Sequence, residues 1–135
     1  MFKNILVPIS FDQGRDTDQS IEIAKHLRDE NTKITILHVM EQVPGYAATY
    51  MPEGYIEDSR AGIKSELSDL AATIPNCKAE VVSGHSGATI LDFAHASGSD
   101  LIILASHRPV MSDYLLGSTA HHVIRHAKCS VHVVR

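Results

Sequence analysis

Cysteine is scarce in this chain. The two present, Cys77 and Cys129, lie far apart and form no C-x-x-C pattern, which fits a reducing compartment and two ordinary buried thiols. Long apolar runs are also missing. Nothing approaches the length of a membrane span, and the run in "MFKNILVPIS" is cut at Pro8, too short for a signal-peptide core. The expected location is therefore the cytoplasm, with no membrane partner. There is no excess of basic charge either. Lys and Arg number 12 against 16 Asp and Glu, a net charge of -4, which argues against a broad nucleic-acid surface and leaves room only for a local basic patch. The segment "ASHRPVMSDYLLGST" (105–119) reads like a phosphate-binding turn, yet it lacks the lysine of a P-loop and the glycines of a dinucleotide fingerprint.

What is present fits one domain over residues 1–135, since two domains of half that length would bury little apolar surface each. Hydrophobic residues make up 44% and charged residues 21%, ordinary for a globular protein. Five segments read as strands: "KNILVP" (3–8), "KITILHV" (33–39), "AEVVS" (79–83), "DLIILAS" (100–106) and "SVHVV" (130–134). Helical spacing fills the gaps. Ile21, Ala24 and Leu27 mark the first helix, and Ile63, Leu67, Leu70 and Ile74 the second. Gly87, Ile90, Leu91 and Ala94 mark the third, and Ala120, Val123, Ile124 and Ala127 the fourth. Strand and helix alternate, which predicts a Rossmann-like α/β domain with a parallel sheet and helices on both faces. "ILV" and "LIILA" are continuously apolar, as expected of strands buried on both faces, whereas "KITILHV" and "SVHVV" mix polar with apolar positions. The predicted strand order is therefore 3-2-1-4-5. It places a topological switch point between strands one and four, where open α/β sheets hold ligands beyond their carboxyl ends.

That geometry selects two loops, "PISFDQG" (8–14) and "SHRPVMSDYLLGST" (106–119). Gly117, Ser118 and Thr119 stand where the fourth helix begins, and a helix N-terminus offers unpaired N–H groups to an anion. Ser118 could instead merely cap the helix; the switch-point position favours phosphate. Arg108, beside His107, could reach a phosphate with its forked donors or stay solvated.

The residues carry a family resemblance from end to end. "ILVP", "LHV", "DLIILASH", "LLGST" and "VIRHAKCSVHVV" resemble the universal stress proteins. The resemblance implies an adenine-nucleotide site of the Rossmann-like type, with ATP, with or without Mg, as the ligand. It places Pro8, Ile9 and Ser10 beside adenine and ribose, and Val39 where strand-two backbone meets adenine. The family's ATP-binding members carry a Gly-x2-Gly-x9-Gly-Ser/Thr pattern after strand four. Here Ala105 and Arg108 fall at the first two glycines, Gly117 and Ser118 at the last glycine and hydroxyl, and eight residues rather than nine separate Arg108 from Gly117. Ser10 stands where nucleotide-binding members often have aspartate, with Asp12 nearby. The "ASHRP...YLLGS" form looks like the bacterial F and G types. The expected ATP-binding set is Pro8, Ile9, Ser10, Val39, Ala105, Ser106, His107, Arg108, Gly117, Ser118 and Thr119.

Other motifs point elsewhere and are weaker. Asp12 and Asp113 sit in no recognisable metal motif, so the site looks built to hold a nucleotide, with at most slow hydrolysis. "GHSGA" (84–88) evokes a nucleophile elbow at Ser86, but its strand is expected at an edge and no oxyanion loop is evident. The simpler reading is that Ser86 caps the third helix while Gly84 and Gly87 shape the turn. His122 and His126 are four apart on a helix, as zinc ligands are. No third ligand has matching spacing and HEXXH is absent, so a solvated or interface-facing side is expected. His38 and His132 are expected to pack or hydrogen-bond at an edge. "EQVPGYAATYMPEGYIE" (41–57) does not look regular; it would be a flap over the nucleotide or a loop packing its own tyrosines or a partner.

The last strand is expected at the sheet edge, where pairing with a second copy would cover it, with His132 near the interface. The resemblance also implies a homodimer through this strand, and a tetramer is left open. The expected function is a cytoplasmic stress-response protein with ATP as a regulatory ligand. Its rivals are a nucleotide-free interaction module and a slow ATP hydrolase.

Overall fold

The computed structural model describes residues 1–11, 15–106 and 117–135. Its elements run β1 (Asn4–Pro8), α1 (Arg15–Leu27), β2 (Lys33–Met40), α2 (Gly45–Ala48), α3 (Tyr55–Ala71), β3 (Cys77–Ser83), α4 (Ser86–Ser97), β4 (Leu101–Ala105), α5 (Ser118–His126) and β5 (Ser130–Val134). All four strand pairs are parallel and the order is β3-β2-β1-β4-β5, as the run character predicts.

The alternation of side chains along a strand builds two cores. Ile5 and Val7 of β1, Ile34 and Ile36 of β2, and Leu101 and Ile103 of β4 point to one face, against Ile21 and Ala24 of α1 and Leu67 and Ala71 of α3. Leu6, Leu37, Ile102 and Leu104 point to the other, against Ile90 and Ala94 of α4 and Ala120 and Val123 of α5. β1 and β4 contribute to both cores, which is why their sequences carry no polar interruption.

Leu27 and Ile124 lie on the helices their spacing marks, α1 and α5, and are 38% and 41% exposed, outside the core. Other sequence expectations change. Ile74 is buried but lies beyond α3, in a turn closed by its N–H on the Ala71 carbonyl at 3.1 Å. Residues 41–57 are not irregular throughout. The Pro44 carbonyl takes the N–H groups of Ala47 and Ala48 and starts α2, and Glu57 and Asp58 favour the first turn of α3 through its dipole. Tyr46 and Tyr50 are 78% and 88% exposed, so the loop does not pack its own tyrosines.

Gly87, expected to shape a turn, lies inside α4. A Cβ there would stand 2.8 Å from Cδ2 of His122, so the missing side chain is what lets α5 approach α4.

Both cysteines are free and half-buried. Burial pushes the Cys77 thiol up to about 11, and burial, with Asp100 nearby, also raises Cys129. At neutral pH on the order of one Cys77 thiol in ten thousand is then ionised, and the thiolate is the nucleophile. Iodoacetamide should label Cys77 far more slowly in the native protein than after denaturation; equal rates would contradict this assignment.

Candidate functional site

The carboxyl ends of β1 and β4 lie side by side, and from there the chain departs in opposite directions across the sheet. β1 ends at Pro8, opposite Leu37, while β2 continues to Met40. The Ile9 N–H donates to the Leu37 carbonyl at 2.7 Å, so residue 37 turns its backbone groups toward β1. Val39 shares that parity, whereas Met40 faces β3 and accepts the Gly84 N–H at 3.0 Å. Val39 therefore presents its N–H and C=O to the space past the end of β1. Among the described residues neither is hydrogen-bonded. A donor and an acceptor side by side on one residue match the edge of adenine, which offers an acceptor at N1 and a donor at N6.

The rim of this space is fixed by His38. Its Nδ1 lies 2.8 Å from the Ile9 carbonyl; a carbonyl only accepts, so Nδ1 carries the proton. Phe11 meets the same imidazole edge to face, with ring centroids 5.0 Å apart. Ile9 is buried, Pro8 half-buried and Ser10 exposed. His38 thus lies inside the sheet on β2, not at an edge, and only the exposed His132 sits on an edge strand.

On the β4 side, Ala105 is half-buried and Ser106 buried. Ser106 donates to the Val134 carbonyl through its N–H at 2.9 Å and its hydroxyl at 3.2 Å, which ties the end of β4 to β5. His107, Arg108 and Asp113 lie outside the described residues, as does Asp12. Gly117, Ser118 and Thr119 open α5, whose far end leads directly into the start of β5. The N-terminus of α5 accordingly sits at the carboxyl end of the sheet. Gly117 is the buried N-cap, and among the described residues no side chain caps the helix. Ser118 is its first residue, exposed, and does not cap. The first-turn N–H groups of such a helix have no partner within it.

The N-terminus of α4, at the same end of the sheet, is different. Glu41, just past β2, accepts from the Ser86 N–H at 3.2 Å and the Ser86 hydroxyl at 2.5 Å. Ser86 is the first residue of α4 and His85 its N-cap, so Ser86 does not cap as expected; a carboxylate from β2 fills the place. The hydrogen bond from Ser86 is the chief cause holding the Glu41 carboxyl below its ordinary range, with burial opposing. A carboxylate so held is a poor base for a serine nucleophile. Its depressed pKa means its stabilisation is present above the unfolded-state pKa and is lost as pH falls through the folded one. Glu41→Gln should cost about 0.5 kcal/mol at neutral pH, a small figure because the pair is exposed. Thermal melts of wild type and variant should converge in acid; a difference independent of pH would contradict this role.

His122 and His126 approach with ring centroids 4.7 Å apart, and both are exposed. Among the described residues no three His, Cys, Asp or Glu side chains are arranged to hold a metal ion. No described helix is long and apolar enough to cross a membrane. The structure places Val39 and Gly117–Thr119, expected from the sequence, at the same end of the sheet as His38, Phe11 and Glu41, which the expected set does not include. The positions of His38 and Glu41 beside the last residues of β2 were visible, but their partners at Ile9 and Ser86 were not.

The model of the universal stress protein family matches residues 1–135. Universal stress protein G of Escherichia coli O157:H7 is 27% identical over 145 residues, covering all of both chains. Universal stress protein A homolog 2 of Coxiella burnetii is 30% identical, over 99% of this chain and 95% of that one. The fold superposes on universal stress protein UspA from Lactobacillus plantarum with a TM-score of 0.72, at 24% identity and over 98% and 97% of the two chains. Two more distant structures were solved with nucleotides. One is an Archaeoglobus fulgidus universal stress protein in complex with dAMP, with a TM-score of 0.67, 15% identity and 98% of each chain covered. The other is a universal stress protein in complex with cAMP, with a TM-score of 0.64, 18% identity and 99% and 97% covered. A match along the whole chain makes this chain a member of the universal stress protein family, with relatives that include the G type.

Proposed function

We propose that this protein binds ATP at the carboxyl end of its sheet as a regulatory ligand, acting in the cytoplasm as a homodimer in stress response. The observation that carries the reading is a pair of backbone surfaces at that end with no partner among the described residues: the N–H and C=O of Val39, and the first turn of α5. The first fits the hydrogen-bonding edge of adenine. The second fits phosphate, by unpaired N–H groups and the positive end of the helix dipole. Glu41 fills the rival helix terminus at α4 and would repel a phosphate there. Pro8, Ile9 and Ser10 would border the adenine and ribose, with the Ile9 backbone held by Leu37 and His38. Ala105 and Ser106 would form the floor, and Gly117, Ser118 and Thr119 the phosphate end. Arg108 would add positive charge and His107 a ring N–H donor, and Mg would accompany the phosphates. The family relatives solved with cAMP and dAMP support an adenine nucleotide as the class.

A nucleotide-free interaction module is the second reading. It is favoured by Ala105 and Arg108 at the family's glycine positions and by the Ser106 hydroxyl being already engaged with Val134. Titration calorimetry with Mg-ATP separates the two. Saturable heat, together with nucleotide released when the purified protein is denatured, supports the ATP reading. No heat and no released nucleotide would leave the interaction module in its place.

A further inference from the structure

The sheet has two outer edges, and they are treated differently. Along β3 the parity is set by the Asn76 carbonyl, which accepts the Ile34 N–H on the β2 side. Residues 77, 79, 81 and 83 therefore turn their backbone N–H and C=O groups outward, to the free edge. Two of those four carbonyls are occupied by cationic side chains from α3. Arg60 donates through Nη1 to the Val81 carbonyl at 3.1 Å and through Nη2 to the Ser83 hydroxyl. Lys64, one turn on, donates through Nζ to the Ala79 carbonyl and lies 4.0 Å from a carboxylate oxygen of Glu80. On β5 the Val134 carbonyl accepts from Ser106 on the β4 side, so Val131 and Val133 face outward. Among the described residues no side chain bonds to their backbone groups.

We propose that β3 is a latent strand-pairing surface for a second copy of this chain, held shut by Arg60 and Lys64. An exposed edge strand is a template for pairing with another chain, and charged side chains, lysine above all, are a common means of blocking it. Here the block works twice. It takes the acceptors that an incoming strand would need, and it would bring four cations together if two β3 edges met. α3 can supply it because residues four apart share one helix face and rise about 6 Å, close to the spacing of alternate strand residues. Taken with the homodimer proposed above, closure of β3 leaves β5 as the only open edge among the described residues, so a pair formed there would be closed and would not propagate through both edges. Neither the nucleotide site nor ATP enters this inference.

The test is the double variant Arg60→Ala/Lys64→Ala, followed by light scattering after size exclusion. The mass of the assembled species should at least double relative to wild type, with new amide-exchange protection at Ala79, Val81 and Ser83. A third substitution, Val81→Pro, removes an outward N–H and bars pairing at that edge; it should return the mass to the wild-type value. The charge-keeping variant Arg60→Lys/Lys64→Arg should assemble as wild type does. A folded double variant with unchanged mass would overturn the proposal. So would a mass increase that Val81→Pro leaves in place, because it would mark association by unfolding.

Discussion

Ser118→Glu should weaken ATP binding about 100-fold while leaving the fold as stable as wild type or slightly more so. Ser118 is the first residue of α5 and is exposed, so a longer side chain meets no core there. A carboxylate at that position favours the helix dipole, contributing about 0.5 kcal/mol to stability. It also brings negative charge to the N–H groups that would hold the phosphates, where a loss of roughly 2–3 kcal/mol of charge-assisted hydrogen bonding is expected. The opposite movement of affinity and stability is the diagnostic, since a variant that merely damages the fold lowers both. Calorimetric titration and a thermal melt on one preparation read the two quantities. Unchanged affinity would remove the phosphates from α5.

Gly84→Ala should have the largest effect on stability, a loss of roughly 3 kcal/mol and about 10 °C in Tm. Gly84 has φ of 151°, a region that residues with a Cβ rarely enter, and its added Cβ would overlap Oγ1 of Thr89. The site cannot easily move, because its N–H is bonded to Met40 and Ser86, two residues on, is bonded to Glu41. The two causes are separable. In Gly84→Ala/Thr89→Ala the steric overlap is gone and the backbone strain remains, so the double variant should recover part of the loss and not all of it. Full recovery would assign the whole effect to packing; no recovery would assign it to the backbone. Chemical denaturation of wild type, Gly84→Ala, Thr89→Ala and the double variant gives the cycle.

The sheet was legible because its signal is local. Uninterrupted "ILV" and "LIIL" mark strands covered on both faces, and the buried Ile5–Val7 and Leu101–Leu104 bear this out. Helix positions are legible from spacing, as Leu27 in α1 and Ile124 in α5 show, but burial depends on how far the partner surface extends, which spacing does not encode. Residues 41–57 are not legible from composition, because a proline or glycine that breaks one element can begin another. Pro44 in fact starts α2, and the α3 helix is already under way at Tyr55. For the candidate site, the switch point between β1 and β4 follows from the strand order alone, whereas Val39 follows only from the family resemblance. The contacts that shape that site join residues far apart in the chain: His38 with Ile9, and Glu41 with Ser86. Neither pair has a spacing that marks it. Arg60 and Lys64 read as an ordinary charged helix face until the β3 carbonyls appear beside them.

One nucleotide is proposed to span the Val39 backbone and the first turn of α5. Backbone amide shifts followed during an ATP titration of the isotope-labelled protein test it most directly. The amides of Val39, Ser118 and Thr119 should move together along one saturation curve, while those of Ser86 and Gly87 at α4 stay in place. AMP should move Val39 and shift α5 less. Saturable shifts confined to α4, or movement at α5 with none at Val39, would contradict the claim.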